Sequence, residues 1–518
     1  MHEKDLKSIL LILASAIMLG LTRLPYAFDM FVFVAFVPLF YYFTRANKES
    51  KFFLHGVLFS TTYLLISIHW ISLVTFGGFI GILVLFGIIF GVLFWYISVG
   101  GINRFIFTWL TFEFITNFTE FSFPWFSIGY GLKNSLSLLQ FLDIGGLPLI
   151  SLLILYINYL LFNGLLLKEF NTGSSGEQER INPFRTDWKN KYIISAFIIL
   201  FVWYCFGNMK MYFVQKNTIQ NDFTIALIQG NIRQELKFED DMLESTFEIY
   251  ESLSRQVAST QNPDLIVFPE SALPTYLYLW RENYFRLMEL VMEIKKPIFT
   301  GFLGLEQGEK YKGQTYPFFY YNTSNLFTPY DNNHTNYNKN KLVPFGERFP
   351  FLHIFPILWK LDFGQANFER GTDTVIYKVT NNSDTASFTF APLICFEIAF
   401  PLYTRNIAYK NKHDFWVNIT NDAWFEKSIG THQHAVMATF RTIENRKPIF
   451  RAANTGFTLY TTPDGKIHQK TQLFETTFVT AQLSSYNKST HFVRWGYLLP
   501  YAFIAIFTFQ IIRRYIKL

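Results

Sequence analysis

Residues Ser387–Glu397 read SFTFAPLICFE, an apolar run that ends at Cys395 and is followed by a carboxylate. Apolar runs this continuous are typical of strands buried on both faces of a sheet. In layered α/β folds, the ends of such strands gather functional side chains into one crevice. The only other cysteine, Cys205, lies in an apolar helix candidate, which excludes a disulfide framework. The run therefore predicts a buried strand that presents a free thiol at its end.

Two further strand-like segments also end in polar motifs. One leads into Pro269-Glu270, and the other, Phe415–Ile419, leads into Thr420-Asn421-Asp422. Between residues 222 and 490, short β-rich runs alternate with segments of 3.6-residue apolar period, such as 239–258 and 279–294. This alternation predicts an α/β domain in which helices cover stacked sheets.

The apolar content is uneven along the 518 residues, because long apolar runs fill 1–210 whereas 215–490 has an ordinary globular composition. A membrane-spanning helix needs roughly 20 apolar residues. We predict a transmembrane helical bundle of seven spans in 1–210, a catalytic domain in 215–490 and a last span in 495–513. The eight predicted spans are 8–25, 29–45, 52–74, 77–98, 103–118, 145–167, 193–209 and 495–513.

Basic residues indicate the orientation of these spans. The net charge is only +6, and Lys and Arg cluster at the ends of apolar runs, as at Arg45–Lys51 and Arg513–Lys517. This pattern is typical of membrane topology rather than of nucleic-acid binding. With eight spans, these clusters lie on the side of the N-terminus, which the positive-inside rule makes cytoplasmic. The catalytic domain is then expected outside the cytoplasm.

The polar motifs can support covalent chemistry. A thiol of ordinary pKa is mostly protonated at pH 7 and needs a base or a nearby cation. Glu270 could take the proton of Cys395, and Lys339 could stabilise the thiolate and an oxyanion, although Lys341 would share its strand face. His432 and His434 are interpreted as structural, because no third metal ligand accompanies them, so no metal is expected.

Residues 348–369 form an apolar, loop-like stretch interrupted by Pro350 and Pro356. The stretch is too short and too interrupted to cross a membrane. A buried loop and a lid that dips into the membrane interface both fit its composition, since Trp and Phe favour that interface. Its position directly after Glu347 favours the lid.

Glu270, Lys339 and Cys395 together resemble the Glu–Lys–Cys trio of the nitrilase superfamily of carbon–nitrogen hydrolases, over about residues 222–485. The resemblance implies an αββα sandwich. The surrounding motifs resemble the apolipoprotein N-acyltransferase family within that superfamily. These motifs are Gln229–Ile232, Phe268–Ala272, Lys339–Glu347, Ile394–Glu397, Asn421–Phe425, Gln433–Arg441, Arg451–Gly456 and, in the membrane half, Phe123–Trp125.

The resemblance implies a role for each matching position. Glu270 matches the general base, Cys395 the nucleophile and Lys339, which stands three before Leu342, the transition-state lysine; Glu347 and Glu397 match supporting carboxylates. The family often has tryptophan at Phe238 and tyrosine at Phe396, so both changes keep a ring and lose a polar group. Contacts with substrate are expected from a further group of residues: Phe238, Phe396, Trp125, Asn421 and Trp424.

The family's activity is a two-step acyl transfer in a bacterial inner membrane, with the catalytic domain on the periplasmic side. The resemblance implies a phospholipid donor such as phosphatidylethanolamine, a thioester on the cysteine, and the amine of a diacylglyceryl-cysteine lipoprotein as acceptor. It implies the lipid bilayer as a partner, no cofactor, no nucleic acid and a monomer. Two alternatives stay open: a membrane-anchored amidase with the same trio, and a non-enzymatic membrane protein with an external sensor domain.

Overall fold

The computed structural model describes residues 3–45, 51–170, 190–234, 240–308, 318–329, 335–355 and 367–516. The chain divides into two compact units. The first comprises Met1–Thr116, Trp125–Phe213 and Trp495–Leu518, and the second comprises Asn117–Pro124 and Val214–Arg494.

The helices are, in chain order, α1 (Glu3–Leu21), α2 (Val37–Arg45), α3 (Phe52–Ser67), α4 (Ile71–Val74), α5 (Phe76–Gly100), α6 (Phe105–Ile115), α7 (Leu136–Leu139), α8 (Leu142–Phe170, kinked at Gly146), α9 (Lys191–Lys216), α10 (Asp240–Gln261), α11 (Arg281–Ile294), α12 (Pro401–Lys410), α13 (Ile429–Asn445), α14 (His491–Trp495) and α15 (Leu498–Ile516). The strands are β1 (Ile219–Gln229), β2 (Leu265–Val267), β3 (Leu273–Tyr276), β4 (Ile298–Gln307), β5 (Phe318–Phe327), β6 (Tyr337–Asn338), β7 (Tyr377–Thr380), β8 (Ser387–Ile394), β9 (Phe415–Thr420), β10 (Ile449–Ala453), β11 (Leu459–Thr461), β12 (Ile467–His468) and β13 (Thr477–Ser485).

The first unit is helical and strongly apolar. Among the described residues, three of its helices are long and apolar enough to cross a membrane: Phe76–Val99, Leu142–Leu165 and Lys191–Lys216. Helix α9 leaves Phe197, Phe201 and Val202 more than half exposed. Side chains of this kind on a long helix fit contact with lipid rather than with water.

The predicted span 29–45 is not one continuous helix. A 3-10 turn covers Asp29–Phe33, and α2 begins only at Val37. The Asp29 carboxylate explains the turn, because it accepts hydrogen bonds from the backbone and side-chain amides of Asn134. Predicted span 103–118 is likewise shorter, since α6 covers only Phe105–Ile115. Apolar composition alone does not distinguish such broken segments from full spans.

The second unit contains two stacked sheets. One has the strand order β13-β1-β2-β4-β5-β6, with β3 also paired to β4, and the other has the order β12-β11-β10-β9-β8-β7. The central strands are parallel in both sheets, β1 with β2 and β4, and β8 with β9 and β10. Antiparallel strands such as β13 and β7 complete the edges.

The alternation of side chains along β1 creates two cores. Ile225 and Leu227 lie in a fully buried cluster between the sheets. Ala226 and Ile228 point the other way and join Phe247 of α10 and other side chains of α10 and α11. Helix α13 packs against β10 and β11 of the second sheet. The layers are therefore helix, sheet, sheet, helix, which is the nitrilase-like arrangement expected from the sequence.

This architecture brings strand ends together. Pro269-Glu270 follows β2, Cys395 follows β8 and Asn421 follows β9. β8 and β9 are parallel neighbours with Ile394 opposite Ile419, so their carboxyl ends lie side by side. Strand β6 ends immediately before Lys339.

Candidate active site

Glu270 is a buried carboxylate fixed by three donors. Its Oε1 accepts hydrogen bonds from Asn322 Nδ2 at 2.7 Å and Lys339 Nζ at 3.1 Å, and its Oε2 accepts one from the Asn421 backbone N–H at 2.8 Å. Only 6% of the residue is exposed. The donors come from β5 and from the loops after β6 and β9, so the fold fixes the orientation of the carboxylate before any substrate arrives.

Lys339 is almost completely buried between two carboxylates. Its Nζ lies 2.8 Å from Glu347 Oε1, in addition to its contact with Glu270. Its backbone N–H donates to the carbonyl of Asn322 at 2.9 Å, which fixes the end of β6 against β5. Burial by itself lowers the pKa of Lys339, but attraction to Glu270 and Glu347 outweighs burial and raises that pKa above its ordinary value. The ammonium therefore stays charged.

Cys395 adopts the left-handed backbone conformation, with φ of 48°. This conformation costs a residue with a β-carbon roughly 1–2 kcal/mol, so neighbouring contacts must hold it. The residue begins a 3-10 turn, Cys395–Ala399, directly after β8. A sharp turn of this kind between a strand and a helix lifts the side chain of its first residue out of the sheet.

Glu397 connects this turn to the lysine loop. Its Oε2 accepts hydrogen bonds from the Ile394 N–H and the Tyr337 hydroxyl, both at 2.7 Å, and its Oε1 accepts one from the Asn340 N–H at 2.6 Å. The side chain is fully buried. Burial raises the pKa of Glu397, and these hydrogen bonds offset part of the rise. Glu397 thus holds the segments that carry Cys395 and Lys339 together.

The thiol of Cys395 is protonated in the resting site. Burial raises its pKa, the charge of Glu270 raises it further, and Lys339 lowers it only in part. Burial is therefore the main cause, and the negative charges of Glu270 and Asp422 add to the rise. A reaction at this sulfur must therefore pass its proton to a base as the bond forms.

Because the thiol pKa is raised, iodoacetamide should alkylate Cys395 slowly at pH 7 and faster as the pH rises past 9, since thiolate is the reactive form. Glu270→Gln removes one negative charge beside Lys339, so it should lower the thiol pKa and speed alkylation at pH 7 roughly tenfold. The measurement is the alkylation rate in a Cys205→Ser background, followed by intact mass. Slower alkylation in Glu270→Gln would contradict the charge balance described above.

Three further predicted residues lie in the second unit. Asn421 binds Glu270 through its backbone, and its side chain lies between Gln234 at 2.6 Å and Asn454 at 3.0 Å. Phe396 is buried, with its ring edge-to-face with Phe400. Trp424 is 50% exposed. Asn421 is thus part of the carboxylate's support, whereas Trp424 offers an open apolar surface.

The two remaining predicted contacts, Trp125 and Phe238, stay predictions. Trp125 belongs to the first unit, where it is buried beside Trp70 and its carbonyl accepts a hydrogen bond from Arg23 at 2.8 Å. Phe238 lies outside the described residues.

The proposed lid is described only as far as residue 355 and again from 367. Ile354 and Phe355 are more than half exposed in its first part. Its backbone is held by Glu120, which accepts a hydrogen bond from the Phe351 N–H at 2.5 Å and pairs with His353 at 3.0 Å.

Asn322 is the site residue that the sequence did not reveal. Its Nδ2 donates both to Glu270 Oε1 at 2.7 Å and to Glu347 Oε1 at 3.0 Å, so it bridges the two carboxylates alongside Lys339. It lies in β5, and 3% of it is exposed. The run of polar residues Asn322–Asn325 in the middle of an otherwise apolar strand was the available signal.

Among the described residues, no three His, Cys, Asp or Glu side chains come together to hold a metal ion. Glu270 and Lys339 act electrostatically on the thiol of Cys395. A sulfur nucleophile, a carboxylate base and a fixed cation suit formation and breakdown of a thioester.

Two family models match the chain. The carbon–nitrogen hydrolase model matches residues 224–491, and the model of the apolipoprotein N-acyltransferase N-terminal domain matches residues 15–160. The first match covers the second unit's sheets and the second covers much of the helical unit.

Curated relatives are similar over most of the chain. The apolipoprotein N-acyltransferase of Geobacter metallireducens is 29% identical over 96% of this chain and 93% of its own length. That of Chlorobaculum tepidum is 26% identical, over 91% and 89%. A solved amidase from Nesterenkonia sp. is 14% identical over 51% of this chain and 91% of its own, with a TM-score of 0.38. Since the carbon–nitrogen hydrolase model spans more than half of the 518 residues, the chain belongs to the carbon–nitrogen hydrolase family.

Proposed function

We propose that the protein moves an acyl chain from a membrane phospholipid, through a thioester on Cys395, to the N-terminal amine of a diacylglyceryl-cysteine lipoprotein. One observation carries the proposal. The same chain combines a buried thiol, lysine and carboxylate with three apolar helices of membrane length, and two of those helices overlap the match to the apolipoprotein N-acyltransferase N-terminal domain. The names of the curated relatives support it.

The first half-reaction forms the thioester. Glu270 takes the proton from the Cys395 thiol as the sulfur attacks the ester carbonyl carbon of the phospholipid. A carbon–sulfur bond forms, and the ammonium of Lys339 stabilises the tetrahedral oxyanion. The carbon–oxygen ester bond then breaks, Glu270 returns the proton to the departing glycerol oxygen, and a lysophospholipid leaves.

The second half-reaction makes the amide. The neutral amine of the acceptor attacks the thioester carbonyl, and Glu270 takes a proton from the attacking nitrogen. The carbon–sulfur bond breaks, and the proton passes to the Cys395 sulfur, which restores the thiol. No electrons are exchanged and no cofactor is required. Glu347 supports both steps, because it shares Lys339 and also accepts a hydrogen bond from the Val343 N–H in the loop that leads to the proposed lid.

The membrane arrangement is part of the proposal. Eight spans, with residues 1–210 and 495–513 in the bacterial inner membrane, would leave the catalytic domain 215–490 on the periplasmic side. The bilayer then supplies both lipid substrates to a single monomeric enzyme, with phosphatidylethanolamine as donor. The exposed Trp424 and the aromatic residues Phe238, Phe396 and Trp125 are the proposed contacts for lipid or peptide.

The test is intact mass spectrometry of the full-length protein after incubation with phosphatidylethanolamine and no acceptor. We expect a mass increase of one acyl chain, absent in Cys395→Ala and discharged by a diacylglyceryl peptide with a free amine. A protein that turns over small amides with release of ammonia, yet never carries an acyl chain, would be an amidase instead. The absence of both activities would favour a non-enzymatic membrane protein.

Asn322→Ala should slow formation of the acyl-enzyme roughly 10- to 100-fold. The substitution removes the amide that bridges Glu270 and Glu347, so the base loses one of its three fixed donors. Asn325→Ala is the matched control, because Asn325 is a buried asparagine on the same strand that binds Tyr278 and Asn336 rather than the carboxylates. Equal losses of acylation rate in Asn322→Ala and Asn325→Ala would show that Asn322 stabilises the strand and does not position the carboxylates.

A further inference from the structure

A charged network is buried directly behind the nucleophile. Asp422 Oδ2 lies 2.8 Å from Arg451 Nη2, and Asp422 Oδ1 lies 2.9 Å from His434 Nδ1. All three residues are at most 1% exposed. Burial alone raises the pKa of Asp422, but Arg451 and His434 outweigh it and hold that pKa well below its ordinary value. Asp422 therefore stays ionised beside Arg451, whereas burial and the charge of Arg451 lower the pKa of His434.

The network contacts Cys395 at two points. His434 Nε2 lies 3.2 Å from the Cys395 carbonyl oxygen. The Thr420 hydroxyl donates to Asp422 Oδ1 at 3.0 Å, and its effect on the Cys395 thiol is to lower the pKa of that thiol. The first contact holds the backbone of the nucleophile, and the second places a hydroxyl beside its side chain.

The contact between His434 Nε2 and the Cys395 carbonyl depends on where the imidazole ring carries its proton. A carbonyl oxygen can only accept, so the contact is a hydrogen bond when Nε2 carries the proton. Nδ1 lies 2.9 Å from the Asp422 Oδ1 acceptor and 3.1 Å from the Arg451 Nη2 donor, so it donates to Asp422 when both ring nitrogens carry a proton and accepts from Arg451 when only Nε2 does. Arg451 is itself fixed, because its other terminal nitrogen binds the Asn418 side chain on β9. The ring is thereby held from β9 and β10 while it reaches the turn after β8.

We infer that His434, supported by Asp422 and Arg451, is a positioning residue that holds Cys395 in its left-handed conformation and aims the thiol at the acyl carbonyl. The left-handed φ of 48° needs a restraint from outside the turn, and this hydrogen bond to the residue's own carbonyl is one. The kinetic consequence rests on the proposed acyl transfer, whereas the effect on the thiol itself does not.

The experiment uses full-length protein in a Cys205→Ser background with His434→Leu, His434→Gln and Thr420→Val. His432→Leu is the matched control, since His432 lies on the same helix with its ring against Phe457 and is only partly buried. Two quantities are measured: the pH midpoint of Cys395 alkylation by iodoacetamide, and the rate and KM of acyl-enzyme formation with phosphatidylethanolamine. Thermal unfolding reports whether each variant folds.

We expect His434→Leu to slow acyl-enzyme formation at least 30-fold with KM within threefold, and to shift the alkylation midpoint by at least half a pH unit. The thiol moves relative to Glu270 and Lys339 when the restraint is lost. His434→Gln should recover most of the rate, because its amide N–H can donate to the same carbonyl. Thr420→Val should also shift the midpoint, which decides the question if His434→Leu does not fold. His432→Leu should match the parent.

Parental rates and midpoints in folded His434→Leu, or equal losses in His434→Leu and His434→Gln, would overturn the inference. If the midpoint shifts as expected but the parent never carries an acyl chain, the proposed function fails and the positioning role stands. If the parent is acylated and the His434 variants behave like it, only the positioning role fails.

Discussion

Lys339→Met should reduce acyl-enzyme formation by about 10³-fold. The ammonium is 1% exposed, and it lies 3.1 Å from Glu270 and 2.8 Å from Glu347, so no other cation can replace it without moving these side chains. Removing one fixed donor to an oxyanion typically costs 10²–10³ in rate, and here the donor also carries full charge. The rate of acyl transfer to Cys395 under single-turnover conditions is the measurement.

The same substitution should destabilise the fold by roughly 3–5 kcal/mol, which is typical when one partner of a buried ion pair is removed. Glu270 and Glu347 would keep Asn322 as their shared side-chain donor without the cation between them. Lys339→Arg should fail as well, because a guanidinium is larger and has a different donor geometry. Denaturant unfolding followed by intrinsic fluorescence reports the stability change.

Lys341→Met is the control that the sequence itself suggests, since Lys341 would share a strand face with Lys339. In the structure its Nζ lies over the rings of Phe400 and Tyr403, at 5.2 and 5.9 Å from their centres. We expect this variant to keep acylation within about threefold of the parent. An inactive Lys341→Met beside an active Lys339→Met would reverse the roles given to the two lysines.

The strand-end residues of the site could be predicted from sequence for a physical reason. A continuous apolar run indicates a buried strand, and parallel strands in one sheet have their carboxyl ends at the same edge. Cys395 and Asn421 follow neighbouring parallel strands of one sheet, so their convergence needs no knowledge of register. Glu270 follows β2 of the other sheet, and it meets Asn421 because the two sheets stack. The two sheets and their covering helices follow from the same alternation of strand and helix patterns.

Other parts of the site depend on information that a single sequence does not carry. Asn322 reaches the carboxylates because β4, β5 and β6 pair antiparallel in one register, and nothing local sets that register. The left-handed φ of Cys395 could not be predicted from the sequence either, because this conformation is usually found at glycine and asparagine. Apolar runs also overstated helix continuity, as the turn at Asp29–Phe33 demonstrates.

Glu397→Gln should cost about 2–5 kcal/mol of stability and slow acyl-enzyme formation at least 100-fold. Each carboxylate oxygen of Glu397 accepts two hydrogen bonds: Oε2 from Ile394 N–H and the Tyr337 hydroxyl, and Oε1 from Asn340 N–H and Lys341 N–H. A glutamine must turn its NH₂ group toward one of these two pairs of donors. The donors of that pair then lose their acceptor inside the protein, which costs stability. Unfolding free energy and single-turnover acylation are measured on the same preparation.

Glu444→Gln is the control that distinguishes a loss of stability from a loss of catalytic geometry. Glu444 is also fully buried, but its carboxylate pairs with Arg441 on α13, and Arg441 donates to the carbonyl of Ala399 at the far end of the nucleophile turn. If Glu397 acts by holding Cys395 and Lys339 together, Glu397→Gln should lose acylation beyond what its stability loss explains, whereas Glu444→Gln should lose stability and keep its rate. Because Glu397 spans both catalytic segments, a small rotation there displaces sulfur and ammonium relative to each other, and displacements of about 1 Å can cost 10²-fold in rate. Equal rate losses in the two variants at matched stability would instead assign Glu397 to the core alone.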